Sequence, residues 1–299
     1  MRNILLFLFL LFSHFVSADN ITYAKSDSIK VVALLKEGNK EFAKNKQLNL
    51  MLYYGKKLCK IPYVAHTLEV NPVEKLVVNL HQLDCTTFVE TVFALCLTTR
   101  QGSISWFDYC SNLQKIRYKD GYPNGYTSRN HYFLWWIDSN KEKGLVSTPL
   151  DDNMRLCESV GEPLPSYVRK QYINIDYMST HSNSYVMLKN KKNDIDKIAE
   201  LERSSKGRVM YYIPSSQTGL KKQVLGKYIK DGDILAIATT KKGLDTSHIG
   251  IACWSKKGTL HLLNASQIHK KVILEPMSLR AYMKKHPSQL GIWIIRPNL

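Results

Sequence analysis

Three side chains that lie far apart in this 299-residue sequence could together perform nucleophilic chemistry: Cys85, His248 and Asn264. Cys85 stands at the start of a predicted helix, where unpaired N–H groups and partial positive charge favour a thiolate. A cysteine nucleophile needs a base that takes its proton, a group that orients the base, and donors that stabilise the oxyanion. The sequence therefore predicts that Cys85 is a nucleophile held at a helix tip.

The base and its orienting group are predicted from two short β-rich runs. His248 opens one run and Asn264 ends the next, and Lys256-Lys257-Gly258 between them predicts a hairpin. A hairpin brings Asn264 beside His248, where the amide can hold one nitrogen of the imidazole. His248 shares its strand face with Gly250, which we expect to leave open space next to the ring. The three residues match the Cys-His-Asn logic of thiol proteases.

The elements that must position these residues follow an order of helices first and strands second. Apolar spacing predicts helices over residues 28–60, 72–80, 85–99, 106–115 and 131–140. Short β-rich runs follow at residues 208–213, 233–238, 248–254, 259–264 and 291–296. The turn-rich residues 120–125 predict a loop, and the lysine-rich residues 189–206 predict a helix or an insertion between the halves. This order indicates an α+β fold with an antiparallel sheet.

The first 18 residues differ from the rest of the chain. Arg2 is followed by an apolar run at residues 4–12 and by Val16-Ser17-Ala18, a pattern typical of a secretory signal peptide. The run is short for a membrane span, although an uncleaved anchor remains the alternative. We therefore expect residues 19–299 to form a single catalytic domain with a helical N-terminal extension. The expected location is periplasmic or extracellular, without stable membrane insertion.

Charge and cysteine content restrict the classes of partner. The formal net charge is +17, and the lysines are scattered, which fits either a solvated surface or attraction to an anionic polymer. Zinc-finger spacing, an RNP-like aromatic run and a basic heptad region are missing, so nucleic acid is not an expected partner. None of the six cysteines forms a C-x-x-C pair, and neither a metal nor a cofactor is predicted.

Several short motifs, taken in order, resemble those of the NlpC/P60 cell-wall hydrolases. They are Asp84-Cys85, Asp231-Gly232-Asp233-Ile234, Ser247-His248-Ile249-Gly250-Ile251 and Leu263-Asn264-Ala265-Ser266. A closer resemblance is to the DUF1460 family, described as N-acetylmuramoyl-L-alanine amidase-like. It rests on residues 62–69, 80–95, 129–133 and 136–137. The similarity covers roughly residues 40–299. It departs at His66, where glycine is expected, and at Asn130, where an apolar residue is expected.

The resemblance implies a papain-like α+β fold in which the cysteine helix packs on a C-terminal antiparallel sheet. It implies that an amide of peptidoglycan or of its muropeptide fragments is hydrolysed through a thioester. Cys85 would be the nucleophile, His248 the general base and acid, and Asn264 the orienting group. Further residues implied near the substrate or the oxyanion are Tyr63, Asp84, Arg129, His131 and Ser247. A monomer is expected, and the scissile bond could be N-acetylmuramoyl-L-alanine or a stem-peptide bond.

Alternatives remain open at this stage for single residues and for the whole chain. Arg129 could be a structural ion-pair partner rather than a substrate contact. His131 is a rival to His248 as the base, but it falls on a predicted helix. The same thiol chemistry could serve an acyltransferase or a deamidase, and a basic, non-catalytic wall-binding protein is a third possibility.

Overall fold

The computed structural model describes residues 20–299, so the predicted signal peptide at residues 1–18 lies outside the described residues. The α-helices are α1 Lys25–Lys44, α2 Leu50–Lys57, α3 Cys85–Arg100, α4 Trp106–Arg117, α5 Phe133–Glu142, α6 Pro149–Ser159, α7 Tyr177–Thr180, α8 Lys192–Ser204, α9 Lys222–Leu225 and α10 Leu279–Lys284. The strands are β1 Ile21–Thr22, β2 Leu76–Val77, β3 Val146–Ser147, β4 Arg169–Tyr172, β5 Val209–Pro214, β6 Ile234–Thr239, β7 Thr246–Trp254, β8 Leu260–Ser266, β9 Lys271–Leu274 and β10 Gln289–Pro297.

Eight of these strands form one antiparallel sheet. Its order is β4-β5-β10-β6-β7-β8-β9, and β3 pairs with the end of β10. The first two strands, β1 and β2, make a separate parallel pair. Strands β6, β7, β8 and β9 are neighbours in chain order, so they form a meander. The mixed α+β architecture with an antiparallel sheet is therefore confirmed.

The sheet separates two hydrophobic layers because its strands alternate side chains between the two faces. Ile249, Ile251 and Leu263 point to the layer that contains the helices α1 to α5. Ala252 and Leu262 point to the opposite layer, where α6, α9 and α10 pack. The face assignment that the alternation in 248–252 predicts is therefore confirmed. The cysteine helix α3 lies in the first layer, and its interior is buried almost throughout.

In the first third of the chain, one helix prediction is confirmed in part and another is wrong. The helix predicted over residues 28–60 is interrupted, because α1 ends at Lys44 and Asn49 caps the separate helix α2 by accepting from Leu52 N–H. The helix predicted over residues 72–80 contains instead the short strand β2, whose two residues are buried and paired with β1. The tertiary pairing outweighs the helix-start signal of Pro72.

The strand predictions in the second half are confirmed to within a few residues, and so is the hairpin between β7 and β8. At its tip, Ser255 N donates to Thr259 O at 2.8 Å, and Gly258 takes a left-handed conformation at φ +78°. The strands β4 and β9 and the helices α6 and α10 are not among the elements predicted from the sequence. Within residues 20–299, no helix is both long and apolar enough to cross a membrane.

Candidate active site

The N-terminal end of α3 and the start of β7 open into one pocket of about 330 Å³. Seven of the eight residues predicted for the site line it, namely Tyr63, Asp84, Cys85, Arg129, His131, Ser247 and His248. The eighth residue, Asn264, is fully buried behind His248. The fold thus brings together side chains that are up to 201 residues apart in sequence, from Tyr63 to Asn264.

The start of α3 is fixed by a reciprocal pair of hydrogen bonds. The Asp84 carboxylate accepts from Thr87 N–H at 2.7 Å, and the Thr87 hydroxyl accepts from Asp84 N–H at 2.9 Å. This capping box makes Cys85 the first residue of the helix. The amides of the first turn have no intrahelical partner, so the N–H groups of Cys85 and Thr86 are candidate oxyanion donors.

The sulfur of Cys85 lies against the strand that carries His248. Its hydrogen-bonding neighbours are the backbone N–H of Ile249, the residue that follows His248, and the amide and hydroxyl of Thr86. Burial and the adjacent Asp84 carboxylate raise the pKa of Cys85 to about 11. The expectation that the helix terminus favours a thiolate is therefore wrong for the resting site, because desolvation outweighs the N–H donors.

His248 and Asn264 are joined as the predicted hairpin requires. His248 Nε2 lies 3.0 Å from Asn264 Oδ1, and Asn264 Nδ2 donates to Leu262 O at 3.3 Å. The second bond sets the orientation of the amide, so the oxygen faces the imidazole and Nε2 must carry the hydrogen. Nδ1 is then the ring nitrogen that can accept a proton.

Gly250 allows the two strands to bring Asn264 beside His248. A Cβ atom at position 250 would lie 2.8 Å from Cγ and Cδ1 of Leu262 and 3.0 Å from Cβ of Asn264. The space next to Gly250 is therefore filled, whereas the sequence suggested that it would be open. A glycine is needed at position 250 because side chains of β8 occupy the space that a Cβ atom would fill.

Burial lowers the pKa of His248, and His286 nearby acts in the same direction. The hydrogen bond to Asn264 and the negative charge of Asp84 oppose this effect without reversing it. At neutral pH these shifts favour a neutral imidazole at His248 and a protonated thiol at Cys85. The arrangement therefore suits general-base deprotonation of the thiol better than a preformed ion pair.

Tyr63 and Ser247 flank the thiol and the imidazole. Tyr63 is half-buried and close enough to Cys85 and Asp84 for their charges to act on its phenol. Its backbone N–H donates to Lys270 O at 2.9 Å, so the turn between β8 and β9 holds it in place. Ser247 is exposed at the rim of the pocket, where a substrate can contact it.

Arg129 is both an ion-pair partner and a pocket-lining residue. Its Nη2 donates to Glu69 Oε1 at 3.2 Å, its Nε lies 3.7 Å from Glu74 Oε1, and its guanidinium stacks over the Tyr126 ring. The residue is only 7% exposed. Its Nε makes no hydrogen bond within the described residues. The structure therefore shows the ion-pair role, and a contact between Arg129 and the substrate stays a prediction.

His131 is not a rival to His248 for the role of base. It precedes α5 and does not lie on it, which corrects its predicted position. His131 Nε2 is 2.7 Å from Tyr126 O, a contact in which the ring donates to the carbonyl. Burial and the nearby Arg129 lower the pKa of His131 well below its usual value. It lines the pocket as a neutral, fixed ring.

The segment between β4 and β5 builds a wall of the pocket that the sequence did not reveal. Met178 and Tyr185 of this segment line the pocket. Glu202 of α8 holds the wall in place, since Oε1 accepts from Tyr132 Oη at 2.6 Å and from Met178 N at 3.0 Å. The apolar face of α8 is the one sequence signal for this packing. That face predicts that the helix is packed against something, but not against which segment.

His66, one of the two departures from the DUF1460 pattern, has an unusual backbone conformation. Its φ is +62°, in the left-handed region that favours glycine, and its exposed side chain stands at the pocket. The expectation of glycine at this position therefore agrees with the local geometry, although the residue present is histidine.

The six cysteines are all free thiols in the structure. Within the described part of the chain, no group of three or more His, Cys, Asp or Glu side chains is arranged to hold a metal ion.

A family model, AmiA-like, described as N-acetylmuramoyl-L-alanine amidase-like, matches residues 53–292. A solved N-acetylmuramoyl-L-alanine amidase from Bacteroides uniformis is 34% identical with a TM-score of 0.72, and the match covers 88% of this chain and 100% of that one. A Bacteroides fragilis protein described provisionally as a xylanase is 37% identical with a TM-score of 0.70, and the match covers 82% of this chain and 99% of that one.

A more distant likeness extends the same fold to another genus. A Legionella pneumophila protein of the DUF1460 family is 21% identical with a TM-score of 0.60, and the match covers 88% of this chain and 93% of that one. At that identity the likeness concerns the fold alone. No curated protein matches this chain.

Proposed function

Because this chain belongs to the AmiA-like family of N-acetylmuramoyl-L-alanine amidase-like proteins, we propose that it hydrolyses the amide between N-acetylmuramic acid and L-alanine in peptidoglycan or its fragments, with Cys85 as the nucleophile. The family and the 34%-identical amidase support the reaction class. The observation that carries the cysteine mechanism is the arrangement of Cys85, Ile249 N–H and the His248–Asn264 hydrogen bond at one pocket.

The first half-reaction forms a thioester. His248 Nδ1 takes the thiol proton of Cys85 while the sulfur attacks the lactyl carbonyl carbon of the muramoyl group. Backbone N–H groups at the start of α3 stabilise the oxyanion. The C–N bond then breaks, the proton on His248 passes to the leaving nitrogen, and the stem peptide leaves with a free L-alanine amine.

The second half-reaction hydrolyses the thioester and regenerates the free enzyme. His248 removes a proton from water, the hydroxide attacks the thioester carbonyl, and the C–S bond breaks. The products are the muramic carboxylic acid and the Cys85 thiol, which regains a proton from His248. Asn264 keeps the hydrogen on Nε2 and holds the ring in place through both steps. The proton that is transferred in each step is therefore carried by Nδ1.

The pocket carboxylates favour an amidase over a glycosidase for this chain. A glycosidase needs two carboxyl groups that are free to act as acid and as nucleophile or base. Each carboxylate in this pocket already serves the structure. Asp84 accepts from Thr87, Glu90 pairs with Arg117, Glu69 pairs with Arg129, and Asp245 accepts from the N–H groups of Leu134 and Thr246.

Export of the chain is part of the proposal and rests on the sequence pattern of residues 1–18. A peptidoglycan substrate lies outside the cytoplasmic membrane, so export would bring the enzyme to it. The N-terminal sequence of the protein isolated from the producing cell should begin near Asp19. An intact Met1 terminus on all of the protein would contradict export with cleavage.

Mass spectrometry of muropeptides after digestion tests the proposed bond. Purified peptidoglycan fragments should yield stem peptides with a free L-alanine terminus together with sugars that carry a free lactyl carboxylate. Fragments in which the lactyl-alanine bond survives and a bond within the stem peptide is cut would overturn the assignment of the bond while leaving the cysteine chemistry intact.

The pKa shifts of the site predict its pH dependence. His248 must be neutral to act as the base, and its pKa is lowered from 6.5. The acid limb of kcat/KM should therefore have its midpoint below pH 6.5, and activity should be retained through the neutral range. The pKa of Cys85 is raised to about 11. Its alkylation by iodoacetamide should therefore become faster with each pH unit from 7 to 10.

The same titrations can contradict this account of the resting site. An alkylation rate that reaches its plateau by pH 6 would mean that the thiol is already ionised beside an imidazolium. An acid limb centred above pH 7 would mean that the imidazole is not held neutral by burial. Cys85→Ala is the control that assigns the alkylation of Cys85 among the six cysteines.

A further inference from the structure

Tyr282 covers the imidazole of His248 from the side opposite the cysteine helix. It lies on α10, in the layer that packs against Ala252 and Leu262 of β7 and β8. His248 and Gly250 face the same layer, because they alternate with Ile249 and Ile251 along the strand. The centroid of the Tyr282 ring is 6.5 Å from that of His248, at an interplanar angle of 34°. Tyr282 itself is only 5% exposed.

The position of Tyr282 is fixed from three directions. Ser278 caps α10 by accepting from Ala281 N–H at 3.2 Å, and Tyr282 N donates to Ser278 O at 2.9 Å. The Gln289 amide at the start of β10 lies within hydrogen-bonding reach of the phenol. The His286 ring packs against Tyr282 with a centroid distance of 5.0 Å. A ring held in this way cannot move aside easily to admit water.

The surroundings of Tyr282 and His248 indicate what the tyrosine does. The phenol is close enough to Cys85 for the charge of a thiolate to act on it, and its ring is a neighbour of the imidazole. The hydrogen bond between His248 and Asn264 sets which nitrogen faces the thiol, and it is strongest where water is excluded. Asn264 is fully buried in the sheet, and the Tyr282 ring lies next to the imidazole on the α10 side.

We infer that Tyr282 is a positioning residue, whose ring holds the imidazole of His248 in the orientation that directs Nε2 to Asn264 and keeps water from that bond. The inference rests on the proposed function, since it assigns Tyr282 a part in the same reaction. Tyr282 acts through His248 and not on the substrate. Its loss should therefore affect kcat more than KM.

The test measures the pKa of His248 by NMR in the unliganded protein, together with kcat and KM on muropeptides. Tyr282→Ala should raise the pKa of His248 towards 6.5, because the ring becomes solvated, and should lower kcat by about 10-fold or more with KM changed little. Tyr282→Phe, which keeps the ring, should restore most of the activity and the parental pKa. Asp84 and His286, which also act on the imidazole, remain unchanged in both variants.

Met283→Ala is the matched control, because Met283 is the neighbouring buried residue of α10 and packs in the same layer. It should cost stability and leave the pKa of His248 in place. If Tyr282→Ala does not fold, Tyr282→Leu keeps part of the apolar packing of α10 but is too short to cover the imidazole, so it carries the same prediction. A parental His248 pKa in a folded Tyr282→Ala or Tyr282→Leu protein, or an equal shift in Met283→Ala, would overturn the inference.

The NMR titration separates this inference from the proposed function. It needs no substrate, so an enzyme that proved inactive on peptidoglycan would still report whether Tyr282 sets the state of His248. Conversely, an active enzyme whose His248 pKa is the same with and without the Tyr282 ring would contradict only the role of the tyrosine. The amidase proposal would still stand.

Discussion

Replacing Cys85 with alanine should lower kcat on purified muropeptides by at least about 10⁴-fold, because the thioester can no longer form. The side chain stands at the first residue of α3 and makes no contact on which the helix depends, since the cap is formed by Asp84 and Thr87. The variant should therefore fold normally. The activity is measured by chromatographic separation of the muropeptides, and folding by circular dichroism.

Cys157→Ala provides the matched control for the loss of a thiol. Cys157 is also partly buried, but it lies on α6 and packs in the layer on the far side of the sheet. This variant should keep full activity. A folded Cys85→Ala protein that retained more than a few per cent of the parental rate would defeat the assignment of Cys85 as nucleophile, whichever bond is cut.

Replacing Glu90 with glutamine should destabilise the protein by about 3–5 kcal/mol, because it leaves a buried guanidinium without its anion. Glu90 Oε2 accepts from Arg117 Nε at 2.7 Å, and each residue is 2% exposed. Arg117 also donates to Val77 O at 2.6 Å, so the pair ties α3 and α4 to β2 beneath the pocket. The free energy of unfolding is measured by urea denaturation at constant m value.

The exposed pair of Lys44 and Glu41 supplies a control of the same chemistry in a different environment. Their side chains are 59% and 40% exposed, so Glu41→Gln should change the urea midpoint little. If Glu90→Gln were equally mild, the pair would not be the anchor of the cysteine helix that its burial indicates.

The position of the cysteine and of the β7–β8 hairpin could be predicted because local and global signals agree there. The apolar residues after Cys85 recur at helical spacing, and Asp84 is a strong capping residue, so helix α3 follows from short-range physics. Period-two alternation around His248 fixed the face of the sheet, and the hairpin fixed the pairing with Asn264. The predicted contact is confirmed at 3.0 Å.

Other features could not be predicted because they depend on partners remote in sequence. The strand β2 is defined by its pairing with β1, and no pattern in residues 72–80 predicts that pairing. The raised pKa of Cys85 depends on burial against β7. Burial raises this pKa by more than the N–H groups at the helix terminus lower it. Tyr282 lies 34 residues after His248 on a helix that the periodicity did not indicate. Its placement over the ring therefore emerges only in three dimensions.

The wall formed by the segment between β4 and β5 illustrates the same limit. Its lysine-rich residues 189–206 predict a helix or an insertion, and nothing before them predicts that Met178 and Tyr185 line the pocket. A buried carboxylate, Glu202, makes this possible by accepting from Tyr132 Oη and from two backbone N–H groups of the segment. Single-residue burial of this kind has no local signature in the chain.

The most direct test of the account is the mass of the covalent intermediate. The enzyme is mixed with a muropeptide, quenched in acid within milliseconds to seconds, and analysed as intact protein and then as tryptic peptides. We predict an added mass equal to the muramoyl portion of the substrate, carried by the peptide that contains Cys85 and absent from Cys85→Ala. An adduct on another residue, or an added mass that includes the stem peptide in place of the sugar, would contradict the central claim.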